Sequence, residues 1–257
     1  GLFEDPYKYC NEKREKETVG AKEHFELAEK AALNSIVLLK NNDHLLPLNE
    51  NKKIAVIGPL GNDSDSPLGN WRGKGEQGSA ISLLDGMKKV FSSTSIKFAK
   101  GCELSIGNNN FFEELKINQT DRSGFDEAIK LAKSSDIVIM ALGEPAYMTG
   151  EGRSRADIGL PGLQLELLQE IYSVNKNIVL VLMNGRPLTL SWENEHIPAI
   201  IEAWHLGSNA GNAIAKVLKG EHNPSGKLTM SFPKHVGQLP IYYNYKTTGR
   251  PNSGPNQ

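Results

Sequence analysis

The sequence predicts an α/β protein, a three-layer α/β/α sandwich around a mostly parallel sheet of about six strands. Short apolar runs such as Ile178-Val-Leu-Val-Leu-Met183 are unbroken on both faces, as strands covered from two sides must be. Amphipathic stretches of helical length separate these runs, the alternation that lays helices over both faces of a sheet. A chain of 257 residues, 39% hydrophobic and 23% charged, can also bury a sizeable core without metal or disulfide staples.

Taken in order, residues 1–18 are polar and mixed in charge, carry Pro6, and read as a connector. From Val19 the pattern turns helical, with Phe25, Leu27, Ala28, Ala31 and Ala32 recurring near a 3.6-residue period. Ile36–Lys40 is short and β-branched at its start, and an Asn-Asn-Asp turn follows at 41–43. Buried strands are expected at 53–58, 136–143, 177–183 and 199–204, with a shorter one at 227–231. Helices are expected at about 80–91, 123–133, 161–174 and 209–219, with Pro161 suited to the first turn of the third. These elements confine the sandwich to residues 19–232. The Asn-rich segment from Gly101 to Thr120 reads as an exposed excursion. From Pro233 the alternation stops, and Tyr242, Tyr243 and Tyr245 lead into a Gly/Pro/Asn tail. So many aromatics imply that residues 233–257 dock on something, with the final NSGPNQ frayed or truncated.

Several function classes are excluded or disfavoured. Lys and Arg total 29 against 30 Asp and Glu, so the net charge of -1 offers no global attraction for nucleic acid or an anionic membrane. No apolar run approaches the ~20 residues of a membrane span, and GLFEDPYKYC lacks the pattern of a targeting signal. Cys10 and Cys102 cannot make a disulfide framework, and neither they nor the six histidines show metal-ligand spacing. No metal and no cofactor is expected. Gly73–Gly78 spells GxGxxG, but about 14 residues separate it from the strand end near Gly58, so it reads as a surface loop. No GxSxG elbow is present.

The densest ionisable cluster runs from Gly143 to Asp157, directly after an expected buried strand, and holds Glu144, Glu151, Arg153, Arg155 and Asp157. Ligand sites of open α/β sheets lie outside the carboxyl ends of the strands. Glycines at 150 and 152 leave the backbone free to push the Glu151 side chain outward. Glu144, beside the strand end, suits an internal pairing with Arg153 or Arg155, and Asp157 a cap on the turn before the next helix. Residue chemistry alone also allows a plain set of loop carboxylates paired with loop arginines.

The chain resembles the second, α/β sandwich domain of glycoside hydrolase family 3, in the bacterial β-glucosidase branch. The matching segments are GLFEDPY at 1–7, AALNSIVLLKN at 31–41, IAVIGPL at 54–60 and LGNWRGKGE at 68–76. They continue with GEPAYMTGEGRSRADIGLP at 143–161, VLMNGRPL at 181–188, NPSGKLTMSFP at 223–233 and GQLPIYYNYKTTGRP at 237–251. His205 and Asn209 stand where relatives more often carry a tyrosine and an acidic or amide residue.

That resemblance implies a retaining, exo-acting β-glucosidase-like enzyme whose nucleophile sits on an absent N-terminal β/α barrel. The tail would lead toward an absent C-terminal domain. It implies that Glu151 is the general acid/base and that Trp71 stacks on the sugar beyond the scissile bond; otherwise Trp71 packs beneath its glycine-rich loop. Retaining glycosidases need two carboxyl groups roughly 5–5.5 Å apart, and a division between domains can supply them. Glu144, Arg153, Arg155 and Asp157 would support the site. Asn184, Gly185 and Arg186 would line the cleft or, preferably, brace the Glu151 loop. The implied partners are β-linked glucosides or short gluco-oligosaccharides and the missing barrel; the implied location is periplasmic or secreted. The isolated chain is expected to be inactive. The alternative is a noncatalytic sugar-binding or docking module.

Overall fold

A computed structural model describes residues 1–91, 95–107, 110, 113–244 and 246. Tyr245 and the 247–257 tail lie outside the described residues. Six strands form one sheet: Val37–Asn41 (β1), Ile54–Ile57 (β2), Ile96–Ala99 (β3), Ile137–Gly143, Ile178–Met183 and Ala199–Glu202. A small hairpin pairs Ser105–Ile106 (β4) with Lys116–Ile117 (β5), so the last three strands of the main sheet are β6, β7 and β8. The main order is β1-β8-β7-β6-β2-β3, and all pairings are parallel except β1 with β8.

Alternate residues of each central strand feed two separate cores, as the two-residue period of a strand requires. On β6, Ile139 and Ala141 join Leu83, Met87, Ile214 and Leu218 on one side. Val138, Met140 and Leu142 join Phe125, Ala128, Leu167 and Ile171 on the other. The first layer holds Lys22–Ser35, Leu83–Val90 and Ala210–Lys219; the second holds Phe125–Lys133 and Gln164–Val174. With Glu12–Thr18 and Ser191–His196 included, the helices number α1 to α7 in chain order among the described residues. The expected three-layer sandwich is therefore present. Ser82 starts α3 by accepting from Asp85 N at 3.1 Å, and Gly220, at φ 83°, ends α7 in the left-handed conformation.

Three local expectations change. Residues 227–231 form no strand: Leu228 and Met230 are exposed, so their apolar alternation has no layer to enter. The sixth strand is instead β3, parallel to β2 at the sheet edge. The excursion at 101–120 is not wholly exposed. Asn118 is buried, donates to Glu103 O at 3.1 Å and Asp121 O at 2.9 Å, and ties that segment down beside buried Cys102 and Leu104. Within the segment read as a connector, Asn11 caps α1, whose residues are all exposed.

The chain runs outward from β2 to β3, returns across the sheet to β6, and then continues to β7 and β8. Strand order therefore reverses between β2 and β6. Open α/β sheets place ligands outside the carboxyl ends of the strands at such a reversal.

Candidate functional site

The loop after β6 carries the predicted cluster, and its root is fixed from below. Gln164 is fully buried; its amide donates to Gly143 O at 2.8 Å and Pro161 O at 2.9 Å and accepts from Gly143 N at 2.9 Å. Gly143 has φ 143°, and a Cβ there would lie 2.1 Å from Met183 O on β7. The strand end can thus be only glycine.

Glu144 follows at 0% exposure. Arg155 Nη1 reaches its carboxylate at 2.6 Å and Arg186 Nε at 3.1 Å, while His205 Nε2 donates to its backbone oxygen at 3.1 Å. Two guanidiniums around one buried carboxylate satisfy its charge and seal it from solvent. Of the two expected partners, Arg153 and Arg155, it is Arg155 whose guanidinium pairs with Glu144, and it also donates to Gly159 O at 3.1 Å. Arg186 adds a second grip: its Nη2 donates to Met148 O at 2.6 Å and Arg153 O at 2.8 Å. Arg153 enters this arrangement through its carbonyl. Asp157 is exposed and accepts from Gly159 N at 2.9 Å, closing the turn ahead of α5.

Glu151 sits at the exposed apex between Gly150 (φ 102°) and Gly152 (φ 70°). The loop leaving β2 comes to meet it. Arg72 Nη1 pairs with Asp65 Oδ1 at 2.5 Å, its Nη2 donates to the Tyr147 hydroxyl, and its guanidinium lies 5.0 Å from the Tyr147 ring centroid. A Cβ added to Gly150 would lie 2.2 Å from Asn70 Nδ2, so the residues just before Glu151 and just before Trp71 abut. Trp71 is 69% exposed rather than packed beneath its loop.

Behind the loops lies a buried polar layer. Glu202, at 0% exposure on the end of β8, accepts from Trp204 N at 2.9 Å and from Asn184 Nδ2 at 3.1 Å. Burial pushes its carboxyl up to about 8, and nearby Glu144 adds to the rise. Burial also lowers the His205 pKa, against the opposing pull of Glu144 and Asp63. Trp204 has φ 54°, a strained value for a non-glycine residue, and the bond from its N–H to Glu202 helps to hold it. Sequence reasoning passed over Glu202 and Gln164. A carboxylate inside the apolar run Ile200-Ile-Glu-Ala-Trp204 was the available signal for the first; nothing local marked the second.

An exposed carboxyl on a braced loop can exchange a proton with a ligand held against this edge. Glu144, enclosed by its arginines, cannot reach one. Among the described residues no three His, Cys, Asp or Glu side chains gather as a metal site, and no helix is long and apolar enough to cross a membrane.

Residues 36–256 match the Glycosyl hydrolase family 3 C-terminal domain. The chain is 40% identical to a periplasmic β-glucosidase of Salmonella typhimurium, over 98% of this chain and 34% of that protein. It is 41% identical to a β-xylosidase of Formosa agariphila, over 95% of this chain and 32% of that protein. The fold superposes on a mutant β-glucosidase from Listeria innocua in complex with laminaribiose, with TM-score 0.86 and 36% identity, over all of this chain and 33% of that one. The chain thus spans about a third of the length of the relatives it matches.

Proposed function

Because the chain belongs to glycosyl hydrolase family 3, as that family's C-terminal domain, we propose that it supplies the general acid/base to a retaining, exo-acting, β-glucosidase-like active site. The observation that carries this reading is the placement of Glu151: exposed, flanked by glycines of positive φ, and carried on the β6 loop where it meets the β2 loop, at the reversal of strand order. Glu151 protonates the leaving oxygen in the first step and takes a proton from water in the second. The nucleophile comes from a barrel domain outside this chain. Glu144 is engaged by Arg155 and Arg186, and Asp157 accepts from Gly159 N to close a turn, so neither takes that role. Arg153, Arg155 and Asp157 shape the loop rather than touch sugar.

Trp71 offers its indole face to the sugar on the leaving side, an arrangement favoured by its exposure and by the contact between its loop and Gly150. The substrates are β-linked glucosides or short gluco-oligosaccharides, in line with the laminaribiose held by the Listeria enzyme. Residues 1–18 and 233–257 lead toward the other domains; Phe3, Tyr7, Tyr9, Tyr242 and Tyr243 are exposed in the chain alone and suit that contact. The protein works outside the cytoplasm, as the periplasmic relative does.

The test is nitrophenol release from an aryl β-glucoside by the purified chain, with and without the barrel. Activity only in combination, abolished by Glu151→Gln and restored with azide on an activated glucoside, is the expected result. Turnover by the chain alone, or unchanged turnover by Glu151→Gln in the combined enzyme, refutes the reading.

A further inference from the structure

Arg186 lies on the turn after β7, 35 residues beyond Glu151 in sequence, yet it holds both sides of the Glu151 loop. Its Nη2 donates to Met148 O at 2.6 Å, three residues before Glu151, and to Arg153 O at 2.8 Å, two residues after it. Its Nε is fixed on the buried Glu144 carboxylate at 3.1 Å. The same turn presses on the loop a second time, since a Cβ on Gly185 would come within 2.8 Å of Thr149 Cβ. Between these anchors Gly150, Glu151 and Gly152 arch outward, the glycines at φ 102° and 70°, and the arch is closed by a backbone bond from Arg153 N to Gly150 O at 3.2 Å.

We infer that Arg186 is a positioning residue that sets the reach of Glu151 toward the leaving oxygen, with buried Glu144 as its anchor. This rests on Glu151 being the acid/base. Arg186 touches neither sugar nor reacting atoms; it acts by fixing the two carbonyls that bracket the catalytic carboxyl. A planar guanidinium can serve a carboxylate and two carbonyls at once, whereas the point charge of a lysine cannot reproduce that fork.

The experiment uses the full enzyme, with this chain joined to its barrel. kcat/KM is measured for aryl β-glucosides from dinitrophenyl to unsubstituted phenyl. A poor leaving group needs the proton from Glu151 and a good one does not. Arg186→Lys retains a cation for Glu144, and Gly185→Ala displaces the turn while leaving every charge in place. Both should lose about 10- to 100-fold on the phenyl glucoside, the scale of an ångström-sized misplacement. They should lose little on the dinitrophenyl glucoside, so the dependence on leaving group steepens.

An equal loss across the series in both variants, or no loss in either, overturns the inference, because a residue that only stabilises the fold cannot distinguish leaving groups. Glu151→Gln is the control. If it leaves phenyl glucoside turnover intact, the acid/base assignment itself fails; if it cripples turnover while the Arg186 and Gly185 variants behave uniformly, only the positioning role fails.

Discussion

Replacing Glu202 with glutamine should flatten the pH dependence of stability and raise stability at alkaline pH. The carboxyl is fully buried, and burial lifts it from about 4.5 to about 8. A shift of roughly 3.5 units corresponds to about 5 kcal/mol in total. Its sign follows from proton counting. Between pH 4.5 and 8 the folded state holds a proton on Glu202 that the unfolded state has released, so stability falls as pH rises through that window. Below it both states are protonated, and above it both are ionised and the full penalty applies. The Trp204 N–H and the Asn184 amide favour the charged form and already limit the rise. Glutamine preserves the shape and the acceptor for Trp204 N. Its amide nitrogen faces Asn184 Nδ2, so a bond there needs the Asn184 amide to turn its unpartnered Oδ1 inward and give up the 2.8 Å bond to Arg186 O. Urea unfolding from pH 4.5 to 8.5 measures the difference. Wild type and Glu202→Gln should agree within about 1 kcal/mol at the acid end and diverge by a few kcal/mol, in favour of the variant, at pH 8. Parallel curves would refute the assignment of a neutral buried acid.

Two further substitutions probe the packing and the edge of the site. Gly86→Ala adds helix propensity to α3 worth about 1 kcal/mol, but its Cβ would lie 2.1 Å from the Gly211 carbonyl on α7. Backbone cannot yield as a side chain can, so thermal unfolding should show a net loss of about 2–3 kcal/mol. Trp71→Ala removes a side chain already 69% exposed, so stability should move by no more than about 0.5 kcal/mol. In the full enzyme the same variant should raise KM for disaccharides several-fold more than for aryl glucosides with a small leaving group; equal effects on both would remove Trp71 from the leaving-sugar side.

The central strands were legible because burial on both faces leaves no room for polar residues: β6 and β7 are apolar at every position except the closing Gly143. The edge was harder. Strand β3 exposes Lys97, and its alternation runs only from Ser95 to Phe98 before Ala99 breaks it, too short to stand out as a strand. Residues 227–231 showed the reverse problem, since Leu228 and Met230 resemble a strand's inward face but point at no layer. Helix α6, of six residues, is shorter than two turns and too brief for a helical period to declare itself. Within the site, the pairing of Glu144 with Arg155 is local and could be anticipated. The clamp from Arg186 joins residues 33 and 38 positions apart, and only the parallel pairing of β6 with β7 brings them together.

The two glutamates of the β6 loop show how a single segment assigns different tasks to identical side chains. Glu144 follows the strand directly, where the neighbouring strand and the crossing loops exclude water, and a carboxylate there persists only because Arg155 and Arg186 surround it. Once ion-paired, it is a fixed negative point to which the guanidinium of Arg186 can be anchored. Seven residues on, the chain has left the sheet, and Glu151 is exposed to solvent between two glycines of positive φ. Removing one arginine should therefore harm Glu151 through its position rather than its charge. On the proposed function the second carboxylate arrives on another domain, and such an anchor would help to hold Glu151 within the roughly 5–5.5 Å separation required by a retaining mechanism.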